Sequence, residues 1–144
     1  MILASHQPDF FPYMGYFYKV FMSDTFVFSD NVQFSKRGMH NYNTILTANG
    51  PLRFTLPVHY HVENLNEIKV AADKATIEKM LKTLWMEYKK ADHFHEAFPV
   101  LEELLEAAPG ASHLAVFNGG CIRRLCDLFG ISADREFLIS SVLP

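Results

Sequence analysis

Short apolar runs punctuated by turn residues fill the first third of the chain, whereas a helical spacing of apolar residues dominates the second half. Met1-Ile2-Leu3-Ala4-Ser5 is an apolar run that stops short of Pro8, which predicts a buried strand. Pro12 suits the first turn of a helix, where its missing N–H costs nothing. Large side chains recur from residue 13 to 22, with Tyr16, Lys19 and Ser23 on the more polar side, and Asp24 ends the helix. Thr25-Phe26-Val27-Phe28 is β-branched and aromatic, a second buried strand. Its exit is Ser29-Asp30-Asn31, and residues 31–34 prolong the extended chain into the polar loop Ser35-Lys36-Arg37-Gly38.

Residues 43–47, the turn Ala48-Asn49-Gly50-Pro51 and residues 52–58 predict a β-hairpin that buries Phe54, Leu56 and Val58. Ile68-Lys69-Val70 is a further short strand. Helices are predicted over 75–91, 94–108 and 112–129, the second capped by Asp92. Gly130 stops the third, and Gly119-Gly120 inside it reads as a close helix contact. Glu136-Phe137-Leu138-Ile139 closes the chain as a strand. The pattern is that of an α/β protein: a short, mainly parallel sheet opened by a strand–helix–strand unit, with a β-hairpin and a helical second half. A length of 144 residues suits one domain.

That topology places chemistry. A strand–helix–strand unit is a parallel, right-handed crossover, and such sheets bind ligands beyond the carboxyl ends of their strands. Ser5-His6-Gln7 and Ser29-Asp30-Asn31 therefore share one rim. A His beside a carboxylate there can act as general base, so His6, Asp9 and Asp30 form the first candidate cluster; the alternative is that His6 only satisfies loop backbone. Lys36, Arg37, Asn41 and Asn43 form the second. Two cations and two amides suit a phosphate and a sugar, or else make a solvated turn. Phe11 and Tyr13 belong to the core or wall a pocket for a flat or sugar-like ligand. His59 and His61 stand on one side of a strand; as metal ligands they would need a third, such as His40 or Glu63, and otherwise they mark an exposed strand end.

Composition narrows the classes. The chain is 49% hydrophobic and 14% aromatic with a net charge of −3, which argues against general binding to nucleic acid. Cys121 and Cys126 read as packed thiols in a reducing compartment. The absence of a signal-peptide pattern, and of an apolar run of roughly 18 residues, predicts a cytoplasmic protein without a membrane span. No Gly-x-Gly-x-x-Gly, P-loop or Gly-x-Ser-x-Gly occurs, so no cofactor and no metal are assigned.

The string His6-Gln7-Pro8-x-Phe10-Phe11-Pro12-Tyr13-x-Gly15-Tyr16-Phe17-x-Lys19 resembles the opening signature of the WbqC-like proteins. The resemblance continues through Asp24-x-Phe26-Val27-Phe28-x-Asp30-x-Val32-Gln33-Phe34-x-Lys36-Arg37, Asn41-x-Asn43-x-Ile45 and Leu56-Pro57-Val58, then in segments from Trp85 and from Leu125. It implies a bacterial protein of surface-polysaccharide (O-antigen) biosynthesis that transfers an amino-acid or acyl group to a sugar. The implied partner is a nucleotide- or lipid-linked sugar or an acyl donor. The resemblance assigns no catalytic residue; from the residues themselves, His6 is the base, Asp30 orients it or holds substrate, and Asp9, Phe11, Tyr13, Gln33, Lys36, Arg37, Asn41 and Asn43 bind substrate. A non-enzymatic nucleotide-sugar or partner-binding module is the alternative. Tyr42 stands where a basic residue is common in the family. Members are usually longer, so a further segment after residue 141 is expected, and an apolar patch exposed there would point to a homodimer. A fainter similarity, Pro12-Tyr13-Met14-Gly15 followed by Gln33-Phe34, is to nucleotidyl-transfer folds such as pantothenate synthetases. Their His-x-Gly-His is absent here.

Overall fold

The computed structural model describes residues 1–60 and 63–144. In chain order the elements are β1 (Leu3–His6), α1 (Met14–Phe21), β2 (Thr25–Phe28), β3 (Tyr42–Thr47), β4 (Gly50–Thr55), β5 (Val58–His59), β6 (Lys69–Val70), α2 (Lys74–Tyr88), α3 (Phe94–Glu106), α4 (Leu114–Leu128) and β7 (Glu136–Ile139). Among them β1, β2 and β7 form a three-stranded sheet in that order, parallel throughout. Side chains in register across parallel strands share a face. Ala4, Phe26 and Phe137 make one row on the core face, and His6, Phe28 and Ile139 make the next.

Aromatic packing fixes both helices to that face. The Phe26 ring sits 5.5 Å from Tyr16 of α1, while Phe28 stacks on Phe137 at 5.8 Å and lies under Arg123 of α4. Arg135, just before β7, ties the sheet to α1 by donating to the carbonyls of Val20 and Phe21 at that helix's end. On the other face Thr25 and Val27 of β2 are buried, and the exposure falls on β1. Leu3 is 61% exposed there, so β1 is an edge strand packed on one side and not the fully buried strand that its apolar run predicts.

The predicted hairpin forms as β3 and β4, with Gly50 at φ +103°, a left-handed backbone that suits glycine. It docks on α2: the Tyr88 hydroxyl accepts from Leu46 N–H at 3.0 Å, and Glu87 from Ala48 N–H at 2.8 Å. Extended pairing over 31–34 shrinks to one bridge, Gln33 with Asn64. At the start of α3 the cap position is His93, at φ 61°, and not Asp92, because the chain reverses there to lay Phe94 and Phe98 against Trp85 of α2, each at 5.4 Å. Among the described residues no helix is long and apolar enough to cross a membrane.

Cys121 and Cys126 are buried in α4. Burial pushes their thiols up from 9.0, to about 12 for Cys121 and to about 11 for Cys126, where Asp127 adds to the effect. The native protein at pH 8 should therefore leave an aromatic disulfide reagent unreacted, and denaturant should release both thiols. Fast labelling without denaturant would contradict this packing of α4. The unfolded chain loses these two protons first, so the burial also makes stability fall as pH rises from about 9 towards 12, measurable by denaturant titration.

Candidate functional site

His6 is the last residue of β1, and its ring is held in place before any ligand arrives. Tyr16 meets it edge-on at 4.9 Å. His6 Nδ1 faces two acceptors, the Gln7 carbonyl at 3.1 Å and Asp9 Oδ2 at 3.6 Å. Two acceptors at Nδ1 favour the proton there, which leaves Nε2 with the lone pair that a base needs. The Tyr16 hydroxyl donates to the same Gln7 carbonyl at 3.0 Å. Burial, and then the nearby Asp9 charge, push the Tyr16 phenol far above its usual range, so it remains a donor at any physiological pH.

A second imidazole lies against the other oxygen of Asp9, near it but outside hydrogen-bonding geometry. His40 Nδ1 lies 3.3 Å from Asp9 Oδ1, and His40 is only 2% exposed. His40 packs on Phe34 at 5.6 Å and directly over Gly38, where a Cβ would come within 2.5 Å of its Nε2. The order along the site is therefore His6, Asp9, His40, running from a half-buried imidazole into the core. Asn118 of α4, fully buried, closes the arrangement: its side-chain nitrogen donates to Pro8 O at 2.8 Å and to His40 O at 2.7 Å. Phe10 N–H donates to Met39 O at 2.9 Å, a second tie between the two loops.

Of the two carboxylates expected near His6, the one in contact is Asp9, which is close through an i,i+3 turn. Asp30 is on the same rim but is held by the residues that follow β7. Its Oδ1 accepts from Ser140 Oγ at 3.0 Å and Ser141 N–H at 2.9 Å, and its Oδ2 from Ser141 Oγ at 2.6 Å. The amides of Asn41 and Asn43 also act inside the protein. Asn41 Nδ2 donates to Leu56 O at 3.0 Å, and Asn43 Nδ2 donates to Phe11 O at 2.6 Å. The second of these holds Phe11 at φ 43°, a left-handed backbone that costs a bulky residue about 1–2 kcal/mol. Phe11 lines a small apolar cavity of about 180 Å³ between the hairpin, α2 and α3, away from the His6 ring. Tyr13 is exposed and covers Gly15, and Gln33 is exposed at its single bridge.

The cations gather on the hairpin side. Lys36 Nζ lies 4.4 Å from the Tyr60 ring, and the Arg53 guanidinium stacks on Tyr42 at 3.5 Å. Tyr42 thus carries a positive charge on its face, borrowed from the paired strand. Arg37 is exposed, and its carbonyl accepts from the Tyr42 hydroxyl at 3.1 Å. Among the described residues no group of three or more His, Cys, Asp and Glu side chains is placed to hold a metal ion. His59 is exposed at the end of β5, and His61 lies outside the described residues.

A sequence profile of the WbqC-like protein family matches residues 7–144. The protein Rv1507c of Mycobacterium tuberculosis (strain ATCC 25618 / H37Rv), described as uncharacterized, is 28% identical over 133 residues, covering 90% of this chain and 57% of that protein. The chain thus spans little more than half the length of that relative. No solved structure matches it.

Two substitutions test the site's support. Asn118→Leu leaves two buried carbonyls without a donor and should cost about 1–3 kcal/mol for each in a urea titration. A change within 0.5 kcal/mol, roughly the scatter of neutral surface substitutions, would show that the bridge is not made. Gly38→Ala drives a methyl group into His40 and should shift the His40 ring resonances in an imidazole NMR spectrum. Unmoved resonances would contradict the packing of that ring.

Proposed function

This chain belongs to the WbqC-like protein family, and on that premise we propose that it carries the base of a transferase site that moves an amino-acid or acyl group onto a sugar of a bacterial surface polysaccharide. The observation that supports this most is the His6–Asp9 pair at the carboxyl end of β1, backed by the buried His40. His6 Nε2 takes the proton from the attacking hydroxyl or amine of the acceptor sugar as the new bond to the acyl carbon forms. Asp9 offsets the charge on the imidazolium, which then gives the proton to the leaving group. His40 and Asn118 position Asp9, and neither touches substrate in this scheme.

Lys36, Arg37 and Arg53 supply the positive surface for the phosphate of a nucleotide- or lipid-linked sugar. The same surface is what favours the other reading, a module that binds such a sugar without turnover. Because the chain spans only part of its relative, the assay belongs on the full-length protein with a labelled acyl donor and acceptor. His6→Ala should lower transfer by about 10²–10⁴-fold while leaving the melting temperature in place. Asp9→Asn should lower the rate less, because the imidazole keeps its hydrogen bond to the Gln7 carbonyl and loses only the neighbouring charge. Undiminished transfer in His6→Ala would remove the base from the mechanism. Retained binding of a nucleotide sugar with no turnover by the native protein would favour the binding module.

A further inference from the structure

Beside the His6 turn, the carboxyl ends of β2 and β7 open onto a cleft of about 240 Å³, bounded on its far side by α4. Phe28 and Ile139 form one wall, and both stand in register with His6. The cleft therefore continues the row that starts at the imidazole, at about 4.8 Å per strand. Val116 and Ala115 of α4 add more apolar surface. Among the described residues its one cation is Arg123, whose guanidinium lies 5.6 Å from the Phe28 ring and 5.5 Å from the Phe137 ring. One of its nitrogens donates to Phe137 O at 3.3 Å, so the head group is oriented. The neighbouring Arg124 pairs with Glu103 at 3.6 Å, whereas among the described residues Arg123 has no carboxylate within ion-pair distance.

The glycine pair explains why the cleft is open. A Cβ on Gly120 would meet nothing within 4 Å, and one on Gly119 would only touch Phe28, at 4.0 Å. The close helix contact predicted for these glycines is therefore not their role; they keep the floor of the cleft clear. Asp30 also borders the cleft, its carboxylate drawn towards Ser140 and Ser141. Among the described residues lining the cleft Arg123 is the one cation, and one cation suits one negative charge better than a phosphate dianion, which calls for several donors.

We infer that this cleft binds small monocarboxylates with an apolar body, the carboxylate on Arg123 and the body between Phe28, Ile139 and the glycine floor of α4. The inference goes beyond the transferase reading. It is a statement about equilibrium binding, so its failure and the failure of transfer are separate results. The test is calorimetric titration of the full-length protein with benzoate, beside benzamide (the same body without charge) and inorganic phosphate (charge without a body). Benzoate should bind, and the other two should bind at least tenfold more weakly. Arg123→Gln should weaken benzoate at least tenfold. Gly120→Leu should do the same by filling the floor, and it should not lower the melting temperature, because leucine favours a helix interior over glycine and a Cβ at this position meets nothing within 4 Å. Absence of benzoate binding at millimolar concentration, binding of phosphate as tight as benzoate, or benzoate binding unchanged in both variants would each overturn the assignment.

Discussion

One side-chain amide holds the site together. Asn118 projects from the middle of α4 and binds the carbonyls of Pro8 and His40, two residues far apart in sequence. Besides it, the turn after β1 meets the loop before β3 through the Phe10–Met39 hydrogen bond and the Asp9–His40 contact. With it, Asp9 lies between two imidazoles on three separately anchored segments. Buried carbonyls demand donors, and a fully buried amide gains nothing from water, so the bridge is rigid in a way that an exposed one would not be. Catalytic geometry needs such support, because a misplacement of about 1 Å can cost a large factor in rate.

The order of strand, helix and strand was readable because each segment is locally consistent. Apolar runs end at turn residues, Pro12 precedes a helix, and β-branched and aromatic residues fill β2. That reading brings His6 and Asp30 to one rim without any structure. What it lacks is the identity of the partners. His40 lies in a stretch that looks like a solvated loop, and only the packing of Phe34 and the missing Cβ of Gly38 bury it. Asn118 looks like an ordinary polar position on a helix. Asp30 meets serines 110 and 111 residues later, and no local pattern signals a contact of that range.

Hydrogen bonding also divides the polar residues of the first third into two kinds. Asn41 and Asn43 tie the hairpin back to Leu56 and to the turn at Phe11, so their amides act as internal fastenings. The cations rest instead on aromatic faces, Lys36 on Tyr60 and Arg53 on Tyr42, and Arg53 also donates to Lys36 O at 3.5 Å. Arg53, from the opposite strand, places a positive charge on the face of the Tyr42 ring.

The pairing of β2 with β7 has a further consequence. Thr25 lies beside Glu136, and the two are 111 residues apart in the chain. The helical second half can gather its local contacts early, but closing so long a loop carries an entropic cost that only the finished sheet repays. On a ribosome, the row His6–Phe28–Ile139 cannot exist until nearly all of this sequence has emerged. The earliest residues of this sequence are thus among the last of it to reach their native arrangement, and β2 keeps one edge unpaired until β7 has emerged.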